Sequence, residues 1–223
     1  MPATATDVSL QIVAAARPHP SERINGDAWS ASWDGDHCRI LVVDGLGHGP
    51  EAAAASSAAV HAVESAAGFD PAALLRHCHD ALGGMRGAAA SIAVVNTQTG
   101  QLSYAGVGNV EAHLWQAEAP HRVAHPISYR GIVGSTMPRG RTFGFRLTGE
   151  WRLLLHTDGI SARFDLASLA PSDTASGPDA LQTLADAVLA GWGENTDDAT
   201  VVIVSPAAHT YALDARTPAG LPG

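Results

Sequence analysis

The chain has 223 residues, of which 46% are hydrophobic and 16% are charged, as is typical of a folded globular protein and not of a disordered one. This length suits one large domain, or at most two small ones, and one domain of this size buries enough surface to fold alone. The net charge of −9 argues against a nucleic-acid surface, because a phosphate backbone needs a basic stripe. A protein partner or a small solute is the expected ligand.

Two cysteines, Cys38 and Cys78, are too few for a disulfide framework. The chain opens without a basic stretch followed by an apolar core, and no segment approaches the length of a membrane span. These features predict a cytoplasmic protein with no membrane partner, and we expect a monomer. The expected organisation is an N-terminal tail (1–7), one domain (8–206) and a C-terminal tail (207–223).

The first half of the chain is predicted to form three strands and then two helices. Asn25-Gly26 and Asp34-Gly35-Asp36 are turn signals that separate the strands. Pro50 and Pro71 suit the first position of a helix, and Asp70 suits the cap before it. The expected strands are 8–15, 28–33 and 38–43, and the expected helices are 50–67 and 70–82.

The second half returns to strands, with one more helix. The expected strands are 88–96, 102–106, 110–116, 143–147, 151–156 and 200–204, and the expected helix is 178–189. This order does not alternate as βαβ units do, so it favours an α+β fold with a two-sheet, mainly antiparallel core and helices outside.

Four aspartates stand where an apolar strand begins or ends: Asp27, Asp44, Asp158 and Asp197. Each alone is more typical of a turn or a solvated strand end. Together, carboxylates in such positions repel one another unless a cation neutralises them, and hard oxygen ligands select Mg²⁺ or Mn²⁺ over zinc. The set therefore indicates a metal site.

A dinucleotide-binding loop is the main alternative for the glycine-rich segment after Asp44, because a strand, a glycine-rich loop and a helix start follow in order. The glycines of Gly45-Leu46-Gly47-His48-Gly49 alternate and do not have the required G-x-G-x-x-G spacing. Asp44 would also place a negative charge beside the pyrophosphate. Both features make this alternative weak.

The chain resembles the metal-dependent (PPM, type 2C) serine/threonine phosphatases, and within them the SpoIIE-like branch and its RsbX-like members. No single matching segment is specific, but the set is, and it runs from about residue 8 to 206. The segments are Gly26-Asp27-Ala28-Trp29, Val43-Asp44-Gly45-Leu46-Gly47-His48-Gly49, Ala105-Gly106-Val107-Gly108-Asn109-Val110-Glu111, Thr157-Asp158-Gly159 and Asp197-Asp198-Ala199-Thr200-Val201-Val202.

The resemblance implies an α-β-β-α sandwich and a centre of two Mn²⁺ or Mg²⁺ ions. Its ligands would be Asp27, Asp44 as the bridge, the Gly45 carbonyl, Asp158 and Asp197. Asp197 is preferred to Asp198 because the first acidic residue of this motif is the family's ligand. Asn109 stands near the place where many members carry an aspartate for a third metal, so a third ion is not expected.

The resemblance also implies hydrolysis of phosphoserine or phosphothreonine, by a metal-bridging water, on STAS-domain proteins of a stressosome-type stress-signalling module. His48 is the candidate general acid for the serine leaving group. An equally weighted alternative makes His48 a polar loop residue that caps the following helix. Two other functions stay open: a catalytically silent, phosphoprotein-binding regulator, and a two-metal hydrolase of another phosphoester.

Overall fold

Two β-sheets and three helices form the part of the chain that the computed structural model describes, which is residues 9–117, 122–161, 163–164, 169 and 179–207. In chain order the elements are β1 (Leu10–Arg17), β2 (Asp27–Asp34), β3 (His37–Gly45), α1 (Pro50–Ser65), α2 (Pro71–Ala81), β4 (Ala88–Asn96), β5 (Gln101–Val107), β6 (Glu111–Gln116), β7 (Arg122–Ala124), β8 (Ser128–Tyr129), β9 (Phe143–Arg146), β10 (Trp151–His156), α3 (Ala180–Trp192) and β11 (Ala199–Pro206).

The strands divide into a five-stranded and a six-stranded sheet. The first, sheet A, has the order β1-β11-β10-β6-β7, and every pair in it is antiparallel. The second, sheet B, has the order β2-β3-β4-β5-β8, and β9 also pairs with β5. Within sheet B only the short β5–β8 pair is parallel among the described residues.

Three hydrophobic layers hold the two sheets and the helices together. Alternate residues of β3 serve two of them: Ile40 and Val42 pack between the sheets, whereas Leu41 and Val43 pack under α1 and α2. Because both faces of β3 are buried, its sequence is a continuous apolar run instead of an alternating one. On the far side of sheet A, α3 packs on residues that include Leu154 and Val201. The described residues thus form the expected α-β-β-α sandwich.

The predicted elements are confirmed, with shifted ends. The first strand runs from Leu10 to Arg17 because it pairs with β11 over this whole length. The first helix ends at Ser65, where Ala66 becomes extended, and the third extends to Trp192. The sequence reading missed β7 and β8, which are too short to carry a pattern.

Several predictions concern residues outside the described part of the chain. They are the N-terminal tail, the C-terminal tail beyond Ala207, and the start of the third helix at Pro178. Within the described residues, none of the helices combines the length and the apolar character that crossing a bilayer requires.

Candidate metal centre

The predicted aspartates lie at one end of the sandwich, where β2 begins, β3 ends, β10 ends and β11 begins. Asp27 and Asp44 stand directly opposite each other in the β2–β3 pair. Residues in such a pair lie about 5 Å apart at Cα, so their side chains share one face and meet. The hairpin register alone therefore brings two carboxylates together.

Thr157 connects this pair to the other sheet. Its hydroxyl donates to Asp27 Oδ2 over 2.7 Å and accepts from the Thr200 backbone N–H over 3.0 Å, and the side chain is fully buried. The next residue, Asp158, receives a hydrogen bond of 2.5 Å from the Asn109 side chain. The two residues that follow β10 therefore have different roles. Thr157 orients the Asp27 carboxylate, and Asp158 adds a further carboxylate.

Gly45 follows Asp44 directly and lies beneath α1. A Cβ atom on Gly45 would stand 2.2 Å from the Ala52 carbonyl oxygen, so no larger residue fits without moving the helix. The Gly45 backbone N–H donates to the Gly26 carbonyl over 3.3 Å, and the buried Ser56 hydroxyl donates to the same carbonyl. Helix α1 is therefore fastened to both loops that carry Asp27 and Asp44.

Asp197 and Asp198 precede β11. Asp198 is buried and accepts the His19 backbone N–H at Oδ1 over 2.8 Å, while its Oδ2 has no hydrogen-bond partner among the described residues. Asp197 is half-buried, and its Oδ1 accepts the Asp198 backbone N–H over 2.8 Å. The charges of both carboxylates help to raise the pKa values of Asp27 and Asp44, and the preference for Asp197 as the ligand stays a prediction.

Burial and mutual repulsion make these carboxyls hard to ionise. Burial, followed by the charges of Asp27 and Asp158, raises the pKa of Asp44 to about 9. Burial also raises the pKa of Asp27 to about 7, against the opposing hydrogen bond from Thr157. The pKa of Asp158 rises through burial and then through the charge of Asp197.

These observations fit divalent cations. The ligand atoms available here are carboxylate oxygens and the backbone carbonyl oxygen of the buried Gly45. Mg²⁺ and Mn²⁺ prefer oxygen ligands of this kind. None of the ion pairs formed by the described residues involves Asp27, Asp44, Asp158 or Asp197. A bound cation would supply the positive charge that no ion pair among the described residues brings to these four carboxylates, and would lower the raised pKa values.

His48 lies in the exposed loop between Gly45 and α1. Its Nδ1 lies 2.9 Å from Glu22 Oε1, and its ring stacks on His19 with centroids 4.4 Å apart. The residue before α1 is Gly49, and the structure gives this helix no side-chain cap. The capping alternative for His48 is therefore not what the structure has, whereas its role as a general acid stays a prediction.

Sequence reasoning missed two kinds of residue. Thr157 and Asn109 carry no local signal of their roles as partners of Asp27 and Asp158, because each contact needs distant segments to meet. A second polar group near the same end of sheet A, formed by Glu111, His113 and His156, was also missed. Glu111 and His113 are two residues apart on one strand, so alternation alone places them on one face. Only the pairing of this strand with β10 brings His156 beside them.

A cleft of about 540 Å³ lies between α2 and the loop that follows β8. Its lining includes Arg76, His79 and Arg139, and it includes none of the aspartates. The cleft is therefore separate from the candidate metal centre.

A known protein family matches most of the chain. The model for stage II sporulation protein E (SpoIIE) matches residues 34–206. Asp27 precedes this range, and the structure brings it opposite Asp44 inside it. Among curated proteins, phosphoserine phosphatase RsbX of Bacillus subtilis (strain 168) is 30% identical over 138 residues, which is 62% of this chain and 68% of the relative.

Solved structures share the fold. A protein from work on the bacterial stressosome, a modular system adapted to control secondary messenger signalling, is 27% identical with a TM-score of 0.78, covering 88% of this chain and 99% of the other. RsbX in complex with magnesium is 23% identical with a TM-score of 0.78, covering 88% and 95%. The catalytic domain of the phosphatase PstP, with two manganese ions, is 15% identical with a TM-score of 0.60, covering 87% and 97%.

Proposed function

Because the chain belongs to the SpoIIE family of PP2C-type protein serine/threonine phosphatases, we propose that it removes phosphate from STAS-domain proteins of a stressosome-type signalling module. The observation that carries the proposal is the meeting of four aspartates from two sheets in one uncompensated acidic centre. The relative RsbX, a phosphoserine phosphatase, and the structural neighbour from stressosome work support the substrate class. We expect the protein to act in the cytoplasm.

The proposed ligands of two Mn²⁺ or Mg²⁺ ions are Asp27, Asp44, the Gly45 carbonyl, Asp158 and Asp197. When bound, such ions would offset the negative charge of the phosphoryl oxygens and would lower the pKa of a water molecule enough for it to lose a proton and attack phosphorus. This chemistry does not require a phosphorylated intermediate of the enzyme itself.

The surrounding residues orient the ligands. Thr157 holds Asp27 Oδ2 and Asn109 holds Asp158 Oδ2, so each carboxylate keeps a second oxygen that these bonds do not use. Partners of this kind hold ligands in position and commonly matter 10–100-fold, roughly, for metal affinity or activity. They leave the chain with a preformed acidic site.

His48 is the proposed donor of a proton to the serine leaving oxygen. Glu22 holds its Nδ1 and His19 stacks on its ring, which leaves Nε2 as the nitrogen that would deliver the proton. The serine alkoxide is strongly basic, so this transfer would assist its departure.

The test is Mn²⁺-dependent phosphate release from a phosphorylated STAS-domain protein and from p-nitrophenyl phosphate. We expect Asp44→Asn to lower kcat by more than about 100-fold, since loss of a ligand should exceed loss of a ligand's partner. Chelation should abolish turnover of the wild-type chain. Asp36→Asn, in the hairpin between β2 and β3, is the matched control and should keep wild-type activity.

Each other outcome selects an alternative. Metal binding by the wild-type chain without turnover of any phosphoprotein would contradict the proposal and favour a silent phosphoprotein-binding regulator. Turnover of small phosphoesters with no release from the phosphoprotein would instead favour a two-metal hydrolase of another substrate. Equal activity of the Asp44→Asn variant and wild type would show that the aspartate centre takes no part in the reaction.

A further inference from the structure

Glu111, His113 and His156 form a second polar group on the outer face of sheet A. Glu111 and His113 are two residues apart on β6, so their side chains share a face. His156, the last residue of β10, pairs directly with Glu111 in the sheet register. This face carries the α3 layer, as Leu154 shows, whereas the aspartates lie where the two sheets meet. The phosphatase proposal does not use this group.

The three ligand atoms of this group converge on one point. His113 Nε2 lies 3.2 Å from His156 Nε2, and Glu111 Oε2 lies 3.7 Å from the first nitrogen and 3.9 Å from the second. Two ligands that are each about 2.1 Å from a tetrahedral zinc ion lie about 3.4 Å apart. A small movement of the half-exposed Glu111 side chain would bring its two distances to that value, and the two imidazole nitrogens would need to separate by only about 0.2 Å.

The other ring nitrogens have partners of the kind that metal-binding histidines have. His156 Nδ1 lies 2.9 Å from the Thr157 carbonyl oxygen, which can only accept, so Nδ1 donates and the Nε2 lone pair points at the group. His113 Nδ1 lies 2.9 Å from His125 Nδ1. When His113 Nδ1–H donates to His125 Nδ1, the Nε2 lone pair of His113 is left facing the Nε2 lone pair of His156. Such outer partners fix the tautomer of zinc-bound histidines.

The surroundings keep the histidines neutral and leave one side open. His156 is 1% exposed and His113 is 6% exposed, and the edge of Phe164 lies over both rings at centroid distances of 5.7 and 5.4 Å. Burial, followed by the neighbouring histidines, lowers the pKa of His113 to about 4, so the ring is in its ligand form at neutral pH. Glu111 is exposed and gives access from solvent.

We propose that Glu111 Oε2, His113 Nε2 and His156 Nε2 form a Zn²⁺ site whose fourth position is open to water. Two imidazoles and one carboxylate are a ligand set that suits Zn²⁺, while Mg²⁺ prefers oxygen alone. The site differs from the aspartate centre in chemistry and in place. The competing arrangement is a hydrogen-bonded chain in which His125 donates to His113 and His113 Nε2–H donates to His156.

The test measures Zn²⁺ binding by the full chain in excess Mg²⁺, using equilibrium dialysis, with Co²⁺ absorption as a report of four-coordinate geometry. We expect one tight Zn²⁺ per chain, retained in the Asp44→Asn variant. Glu111→Gln should weaken binding by about 100-fold or more, and His113→Ala should do the same. Glu150→Gln and His61→Gln, which change an exposed carboxylate and an exposed imidazole elsewhere, are the matched controls.

Imidazole nitrogen NMR provides a second readout that needs no variant. Zn²⁺ should shift the Nε2 signals of His113 and His156 while their Nδ1 nitrogens stay protonated. A His113 Nε2–H signal that persists at saturating Zn²⁺ would show the hydrogen-bonded chain and overturn the proposal. Equal Zn²⁺ affinity of wild type and Glu111→Gln, or loss of the tight Zn²⁺ in Asp44→Asn, would overturn it as well. Neither result bears on phosphatase activity, so the two proposals fail separately.

Discussion

At the scale of single residues, Thr157 joins the two sheets at the acidic end of the sandwich. Its hydroxyl is both donor and acceptor, with Asp27 on one side and the Thr200 backbone on the other. A buried group that satisfies two partners is costly to replace, because an apolar substitute leaves both of them unpaired. Thr157 thus affects stability and the position of Asp27 together.

Thr157→Val keeps the shape and removes the hydroxyl. We expect the free energy of unfolding in urea to fall by about 1–3 kcal/mol. The Mn²⁺ concentration for half-maximal activity should rise about 10–100-fold, because Asp27 loses its orienting partner. Thr183→Val is the control, since its hydroxyl donates to the Asp179 carbonyl on the exposed surface of α3. Equal effects of the two substitutions would contradict this role of Thr157.

At the scale of elements, helix α1 determines how closely the loop after β3 can approach the rest of the site. Ala52 of α1 lies against both Gly26 and Gly45, and a Cβ on Gly45 would meet the Ala52 backbone. The alanine-rich composition of α1 therefore permits the close contact that holds the Asp27 and Asp44 loops side by side. Larger side chains on this face would separate them.

Gly45→Ala should push α1 away from β3. Overpacking of this kind costs about 1–3 kcal/mol or more, and we expect activity to fall with stability, since Asp44 moves with the loop. Urea unfolding and Mn²⁺-dependent phosphate release measure the two effects. Gly191→Ala in α3 is the matched control: nothing lies within 4 Å of its added Cβ, so helix propensity should stabilise the chain by up to about 1 kcal/mol. A Gly45→Ala variant as stable and active as wild type would contradict the close-packing argument.

At the scale of the whole molecule, the acidic centre makes stability depend on pH in an unusual direction. The folded metal-free chain has a pKa of about 7 for Asp27 and about 9 for Asp44, whereas an unfolded aspartate has about 3.9. Between these values the folded state binds more protons than the unfolded state. Stability contributed by the protonated carboxyls is therefore full below about pH 4 and is lost as pH rises toward about 9.

Urea unfolding in chelator should accordingly give a free energy that falls from about pH 7 to about pH 9, because below about pH 6.5 the lowered pKa values of His113 and His156 act in the opposite direction. Saturating Mn²⁺ should oppose this trend, because only ionised carboxylates bind it; a concentration of 100 times Kd adds about 2.7 kcal/mol. Asp44→Asn should flatten the metal-free slope, since it removes the group with the higher pKa. Metal-free stability that rises with pH over this range would contradict the assignment of a protonated acidic centre.

Much of the fold follows from local patterns. The strand at 151–156 matches its prediction at both ends, and Asp70 caps α2 through bonds to two backbone N–H groups, as its position predicts. The strand pairing does not follow in this way, because β1 and β11 lie near opposite ends of the described chain and become neighbours only through the tertiary fold. The short strands β7 and β8 form by pairing with β6 and β5.

The sequence by itself determined the fold class, the family resemblance and the four strand-end aspartates, since hydrophobic periodicity and turn residues act over a few neighbouring positions. Tertiary structure decided what those residues meet. The Thr157 to Asp27 bond spans 130 positions, and the His113 to His156 contact spans 43. Such contacts depend on sheet register and on packing across the whole core, because a shift of one residue would turn each side chain to the opposite face.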